Sequence, residues 1–187
     1  DRSSLTTEFL TENLNLALQV RTEFTWAKEV PEPIFLNDVL PYAVFDEKRD
    51  PWRKEFYEKA RALVKGAKTA TEAAQALNRQ LFNLVKDHYN SGRKRKNRSP
   101  KESMEMCMAT YTRHAIILVD ACRSIGIPAR AVGTPLWANM RGNHTWVEIW
   151  DGDWHFTGAD EYDKNGLNRG WFVGDAAQVR ETNRQLA

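Results

Sequence analysis

Two spacings of apolar residues divide this chain. Up to about residue 90 they return at helical intervals, and Phe9, Leu10, Leu14, Leu16, Ala17 and Val20 mark a first helix. Asp50-Pro51 offers an N-cap followed by proline at the first helical position, which predicts a second helix running to Gly66. Thr69-Ala70-Thr71-Glu72 has the form of a capping box, in which hydroxyl and carboxylate each satisfy an open backbone N–H. It opens a third helix whose Ala73, Ala76, Leu77, Leu81, Leu84 and Val85 form an apolar stripe, ended by Asn90-Ser91-Gly92. Ser99-Pro100-Lys101-Glu102 carries another capping signature and restarts a helix.

From Ala115 to Ile125 the chain is apolar on nearly every side, interrupted mainly by Asp120 and Arg123, as in a helix buried within a domain. Pro128 cannot continue it. Two β-leaning runs follow, Arg130 to Trp137 and His144 to Trp150. In the second, His144, Trp146, Glu148 and Trp150 share one face, and Thr145, Val147 and Ile149 the other. Asp151-Gly152 makes a tight turn into Trp154-His155-Phe156. Helices first and a short antiparallel sheet last predict an α+β fold: a helical extension over residues 1–90, packed on a core over 91–187 as one unit.

At 187 residues the chain can bury a full core without staples, so neither a cofactor nor a disulfide is needed for folding. A formal net charge of +2 is too small to announce a nucleic-acid or membrane partner. The basic run Arg93-Lys94-Arg95-Lys96-Asn97-Arg98 lacks interleaved aromatics and reads as a solvated loop. No apolar run approaches the roughly 20 residues that cross a bilayer, and no signal-peptide pattern opens the chain. A start at Asp1 without Met suits a processed or trimmed soluble chain and is compatible with export. On one continuous helix the two cysteines, Cys107 and Cys122, would lie roughly 22 Å apart, too far for a disulfide. No His/Cys/Asp/Glu cluster has metal-ligand spacing, and no glycine-rich phosphate loop is present.

Two motifs carry chemistry. Arg123-Ser124-Ile125-Gly126-Ile127-Pro128-Ala129-Arg130, followed by His144-Thr145-Trp146-Val147-Glu148, resembles the core of the transglutaminase-like superfamily of papain-type thiol enzymes. The match is close over residues 99–173 and looser over the first 90, and Trp154-His155-Phe156-Thr157-Gly158 resembles a bacterial branch. The resemblance implies a buried central helix on a small antiparallel sheet. It also implies a thiol acyl-transfer site: a cysteine at the helix start, a histidine on the strand, and a third group that orients the imidazole.

By the family's spacing the nucleophile position falls on Tyr111, and the histidine on His144. A phenol, with a pKa of about 10, is a far weaker acyl nucleophile than a thiolate, so three readings stand. In the first, the site is degenerate and its cleft binds a peptide-like or glycan ligand without turnover. In the second, Cys107 is a displaced nucleophile of an active acyltransferase or amide hydrolase. In the third, Tyr111 is a proton donor or acceptor beside His144. Thr157 stands near the slot of the third triad member, with Asp160 and Glu161 the nearest carboxylates. Arg113, His114, Trp137 and Trp146 are candidate cleft residues; Arg141 and the basic run would rim the cleft. Of the other histidines, His88 reads as a helix cap and His155 as core or surface.

Overall fold

Every residue from Arg113 to Ser124 is buried, and the rest of the fold is arranged around this helix. The computed structural model describes residues 5–85, 111–140 and 142–178. Within these the helices are α1 (Thr7–Glu23), α2 (Thr25–Lys28), α3 (Glu32–Asp38), α4 (Trp52–Leu63), α5 (Ala70–Val85), α6 (Tyr111–Ser124) and a short α7 (Val173–Ala176). The strands are β1 (Ala129–Thr134), β2 (His144–Trp150) and β3 (Trp154–Thr157), joined as an antiparallel meander in the order β1-β2-β3. This is the expected α+β architecture. Central α6 packs on α1, α4 and α5 on one side and on β1 and β2 on the other.

One apolar cluster runs through both halves. Phe56 of α4, Leu77 and Leu81 of α5, Ile117 and Leu118 of α6, and Val147 and Ile149 of β2 belong to it, each at 0 or 1% exposure. Full burial of such a side chain contributes about 1.5–3 kcal/mol, so the helical half and the sheet stabilise one another. At the exit of α6, Gly126 takes φ +77°, and a Cβ there would lie 2.6 Å from Ala27 Cβ. The motif glycine thus serves both a left-handed turn and the close approach of α2, which Trp26 Nε1 secures by donating to Ile125 O at 2.9 Å.

Several local readings are corrected. Pro51, not Asp50, holds the N-cap of α4, and no side chain caps it; Trp52 N–H bonds Asp50 O instead. Thr69 Oγ1 does accept from Glu72 N–H, but the Glu72 carboxylate takes Lys68 N–H rather than completing the box on Thr69. Leu10, Leu14 and Leu84 are 42%, 42% and 48% exposed, while the polar Asn13 in α1 and Asn78 in α5 are buried. β1 ends at Thr134: Thr134 Oγ1 caps the departing chain at Leu136, and Trp137 N–H bonds Gly142 O across a loop.

Two buried arginines hold the end of α3 and the irregular segment 39–43 against α6. Arg53 donates to Asn13 Oδ1 and to the carbonyls of Arg123, Val39, Leu40 and Pro41. Arg123 donates to the carbonyls of Asp38, Ala43 and Ala129. Backbone acceptors cut off from water are satisfied in this way, at the cost of burying two guanidinium groups. That burial pushes Arg53 down to about 9, partly offset by the nearby Asp120 carboxyl.

Candidate functional site

Tyr111 begins α6 and His144 begins β2, and the fold brings these two starts together. A hydrogen bond between Thr112 Oγ1 and Thr145 Oγ1, at 3.1 Å, ties one to the other. Gly133 of β1 lies opposite, where a Cβ would come within 2.5 Å of His144 O, so only glycine lets the strands close here. The Tyr111 and His144 rings then meet edge to face, with centroids 4.6 Å apart.

His144 stands inside a shell of aromatic rings. Trp171 and Phe172 each lie 4.7 Å from it, Trp137 at 6.1 Å and Trp146 at 6.2 Å. Trp146 in turn stacks on Phe172 at 5.1 Å. The histidine is 1% exposed, and neither ring nitrogen has a hydrogen-bond partner among the described residues. Burial pushes its pKa down to about 4, leaving a neutral imidazole at pH 7 whose tautomer no hydrogen bond from the described residues fixes.

Strand register explains why Thr157, the candidate third group, does not reach it. Thr157 pairs with Val147, and directly paired residues share a face, so Thr157 points to the face opposite His144. Its hydroxyl accepts from Asn78 Nδ2 at 3.0 Å, beside α5. Phe156, opposite Glu148, lies on the His144 face, and residue 158 continues that alternation, but it is glycine. A Cβ at Gly158 would fall on the Glu161 carboxylate, which folds back through a turn closed by Glu161 N–H to Gly158 O. There Glu161 Oε1 accepts from Trp171 Nε1 at 3.1 Å, while Oε2 is buried with no hydrogen bond among the described residues. Burial raises the Glu161 pKa. Asp160, at φ +62°, donates its backbone N–H to Asn78 Oδ1 at 2.9 Å.

Asn78 is the residue that sequence reading passed over. Its amide reaches Thr157 Oγ1, Gly158 O and Asp160 N–H, and so holds the turn that carries Glu161. The available signal was an amide inside an otherwise apolar stripe.

The remaining candidates divide. Trp137 and Trp146 belong to the aromatic shell, Trp137 at 3% exposure. Arg113 and His114 are each 1% exposed within the interior, with the His114 ring 4.9 Å from Phe82 of α5. His155 Nδ1 pairs with Asn168 Nδ2 at 2.9 Å on the outer strand. Cys122 is a free, fully buried thiol whose pKa burial pushes up to about 12, far from nucleophilic. Cys107, His88, Arg141, the basic run 93–98 and the helix signals at 90–92 and 99–102 lie outside the described residues. No group of three potential metal ligands exists among the described residues, and no described helix is long and apolar enough to cross a membrane.

A buried helix whose start meets a histidine at the head of an antiparallel meander is the core of a papain-like fold. The family model of the transglutaminase-like superfamily matches residues 57–176, and the chain belongs to that superfamily. Among solved structures it is similar to one from Cytophaga hutchinsonii named "a putative cysteine protease", at TM-score 0.55 and 18% identity. That alignment covers 79% of this chain and 50% of the other, so the chain spans half the length of that protein. No curated protein matches the chain in sequence.

Proposed function

We propose that this domain is a transglutaminase-like cleft that binds a peptide-like or glycan ligand without turning it over, with Tyr111 in the position of the superfamily's nucleophilic cysteine. The observation that carries this reading is the state of His144. It packs against the Tyr111 ring at 4.6 Å, has no hydrogen bond on either nitrogen among the described residues, and is pushed to a pKa of about 4. A base that weak, with no group to orient it, does not activate a nucleophile near neutral pH. Nor does a phenol with an ordinary pKa of about 10 supply one.

Replacing Tyr111→Cys tests the reading. The introduced thiol should alkylate with iodoacetamide as an ordinary thiol does, with an apparent pKa near 8.5 or higher. An apparent pKa below about 7, restored to normal by His144→Ala, would mean that the ion-pairing machinery is intact. In the unsubstituted chain, rapid labelling of Cys107 that is lost on His144→Ala would return the site to the cysteine-type enzymes.

A further inference from the structure

Trp171 combines two properties that rarely go together. It is 56% exposed, yet its ring stands over the enclosed His144 at 4.7 Å and lies 6.4 Å from both Tyr111 and Trp137. Its indole N–H is used by Glu161 Oε1. The segment that carries it is anchored to the outer strand upstream, where Asn168 N–H bonds Phe156 O, and buries Phe172 just after it. Between these anchors the indole covers the shell from the solvent side, beside an open groove of about 600 Å³ lined in part by Glu161, Asp163, Lys164 and Arg169.

The indole leaves polar atoms unmet. Both His144 nitrogens and Glu161 Oε2 are buried without a hydrogen bond among the described residues, although they border the same ring. Buried polar atoms without partners are costly, so the closed shell is held weakly and the half-exposed indole can give way to a competing ring. We infer that Trp171 is an intramolecular stand-in for the ligand, and that the shell takes an aromatic ring with an N–H or O–H donor, presented as a tryptophan or tyrosine side chain of an extended peptide lying in the adjoining groove. This rests on the reading of the cleft as a binding site and names the ligand's chemistry. The present occupant itself supports the choice: an indole packed on rings, its donor directed at a carboxylate, is the interaction that a peptide aromatic would reproduce.

A stand-in competes with its ligand, because binding is weakened by the fraction of molecules in which the position is already filled. Removing it frees the site. Trp171→Ala should therefore bind indole, and N-acetyl-L-tryptophanamide, at least tenfold more tightly than the unsubstituted protein in calorimetric titrations. N-acetyl-L-phenylalaninamide, with no side-chain donor, should bind the variant at least tenfold more weakly than the tryptophan amide. Adding Glu161→Leu should abolish that preference.

Trp171→Phe keeps a ring in place and removes only the donor, so it serves if the alanine variant does not fold. It too should bind the tryptophan amide more tightly than the unsubstituted protein. Equal affinity for the two amides, no gain in either Trp171 variant, or tighter binding of N,N′-diacetylchitobiose than of the tryptophan amide would overturn the inference. Peptide cleavage or a reactive thiolate at Cys107 would instead overturn the non-turnover reading, and would leave these affinities as measured.

Discussion

The Tyr111 and His144 rings meet edge to face with centroids 4.6 Å apart and planes at 79°, so the two side chains pack as aromatic surfaces. Such packing strips water from the imidazole, and that loss of solvation favours its neutral form. Packing and chemistry therefore oppose each other here: rings that bury His144 stabilise the fold and weaken the base.

This opposition predicts a pH dependence. Between the ordinary histidine pKa of 6.5 and the depressed value of about 4, the unfolded chain takes up a proton that the folded chain refuses. Stability is then lost as pH falls through that window, by roughly 1–3 kcal/mol from this residue once solvent screening is allowed for. In His144→Phe that part of the loss should vanish, so the stability difference between variant and parent should shift in the variant's favour from pH 7 to pH 4. Urea unfolding at the two pH values checks it.

Gly158 leaves the space in which Glu161 folds back. In Gly158→Ala the new methyl and the carboxylate compete for one position, so Glu161 must leave and its bond to Trp171 must break. We expect a loss of roughly 1–3 kcal/mol, with red-shifted tryptophan emission as Trp171 becomes more exposed. An unchanged emission spectrum would count against the placement of Glu161.

Arg53 satisfies four backbone carbonyls and the Asn13 side chain from the interior. Arg53→Ala strands these acceptors and should cost roughly 3–5 kcal/mol in thermal or chemical unfolding. Arg53→Lys should recover only part of it, since an ammonium lacks the planar fork that spans several carbonyls.

Asn78→Ala removes the three hydrogen bonds that hold residues 157–160. A loss of about 2–3 kcal/mol is expected, together with faster amide hydrogen exchange confined to the turn and to the Trp171 segment. Exchange that quickens uniformly would mean a general loss of stability and no specific hold on the turn.

Local periodicity made much of this architecture legible. The apolar run from Ala115 to Ile125 marked the central helix, alternation from His144 to Trp150 marked β2, and the two motifs marked where they meet. What stayed hidden depends on distant partners. Arg53 and Asn78 are polar residues on helices whose inward role comes from carbonyls and a turn far along the chain. Arg113 and His114 looked like cleft residues but are enclosed, because every residue of α6 from Arg113 onward is buried. Thr157 stands near the slot that the resemblance implies for a third group, yet strand pairing turns it away from His144, and the nearby space left by Gly158 is filled by Glu161.

The most direct measurement is the titration of the His144 ring by NMR, assigned through His144→Phe, from pH 3 to pH 8. A midpoint of about 4 is expected, with the ring predominantly neutral well above it. A midpoint at or above the ordinary 6.5 would show an imidazolium stabilised by a partner, and would contradict a site without an ion pair.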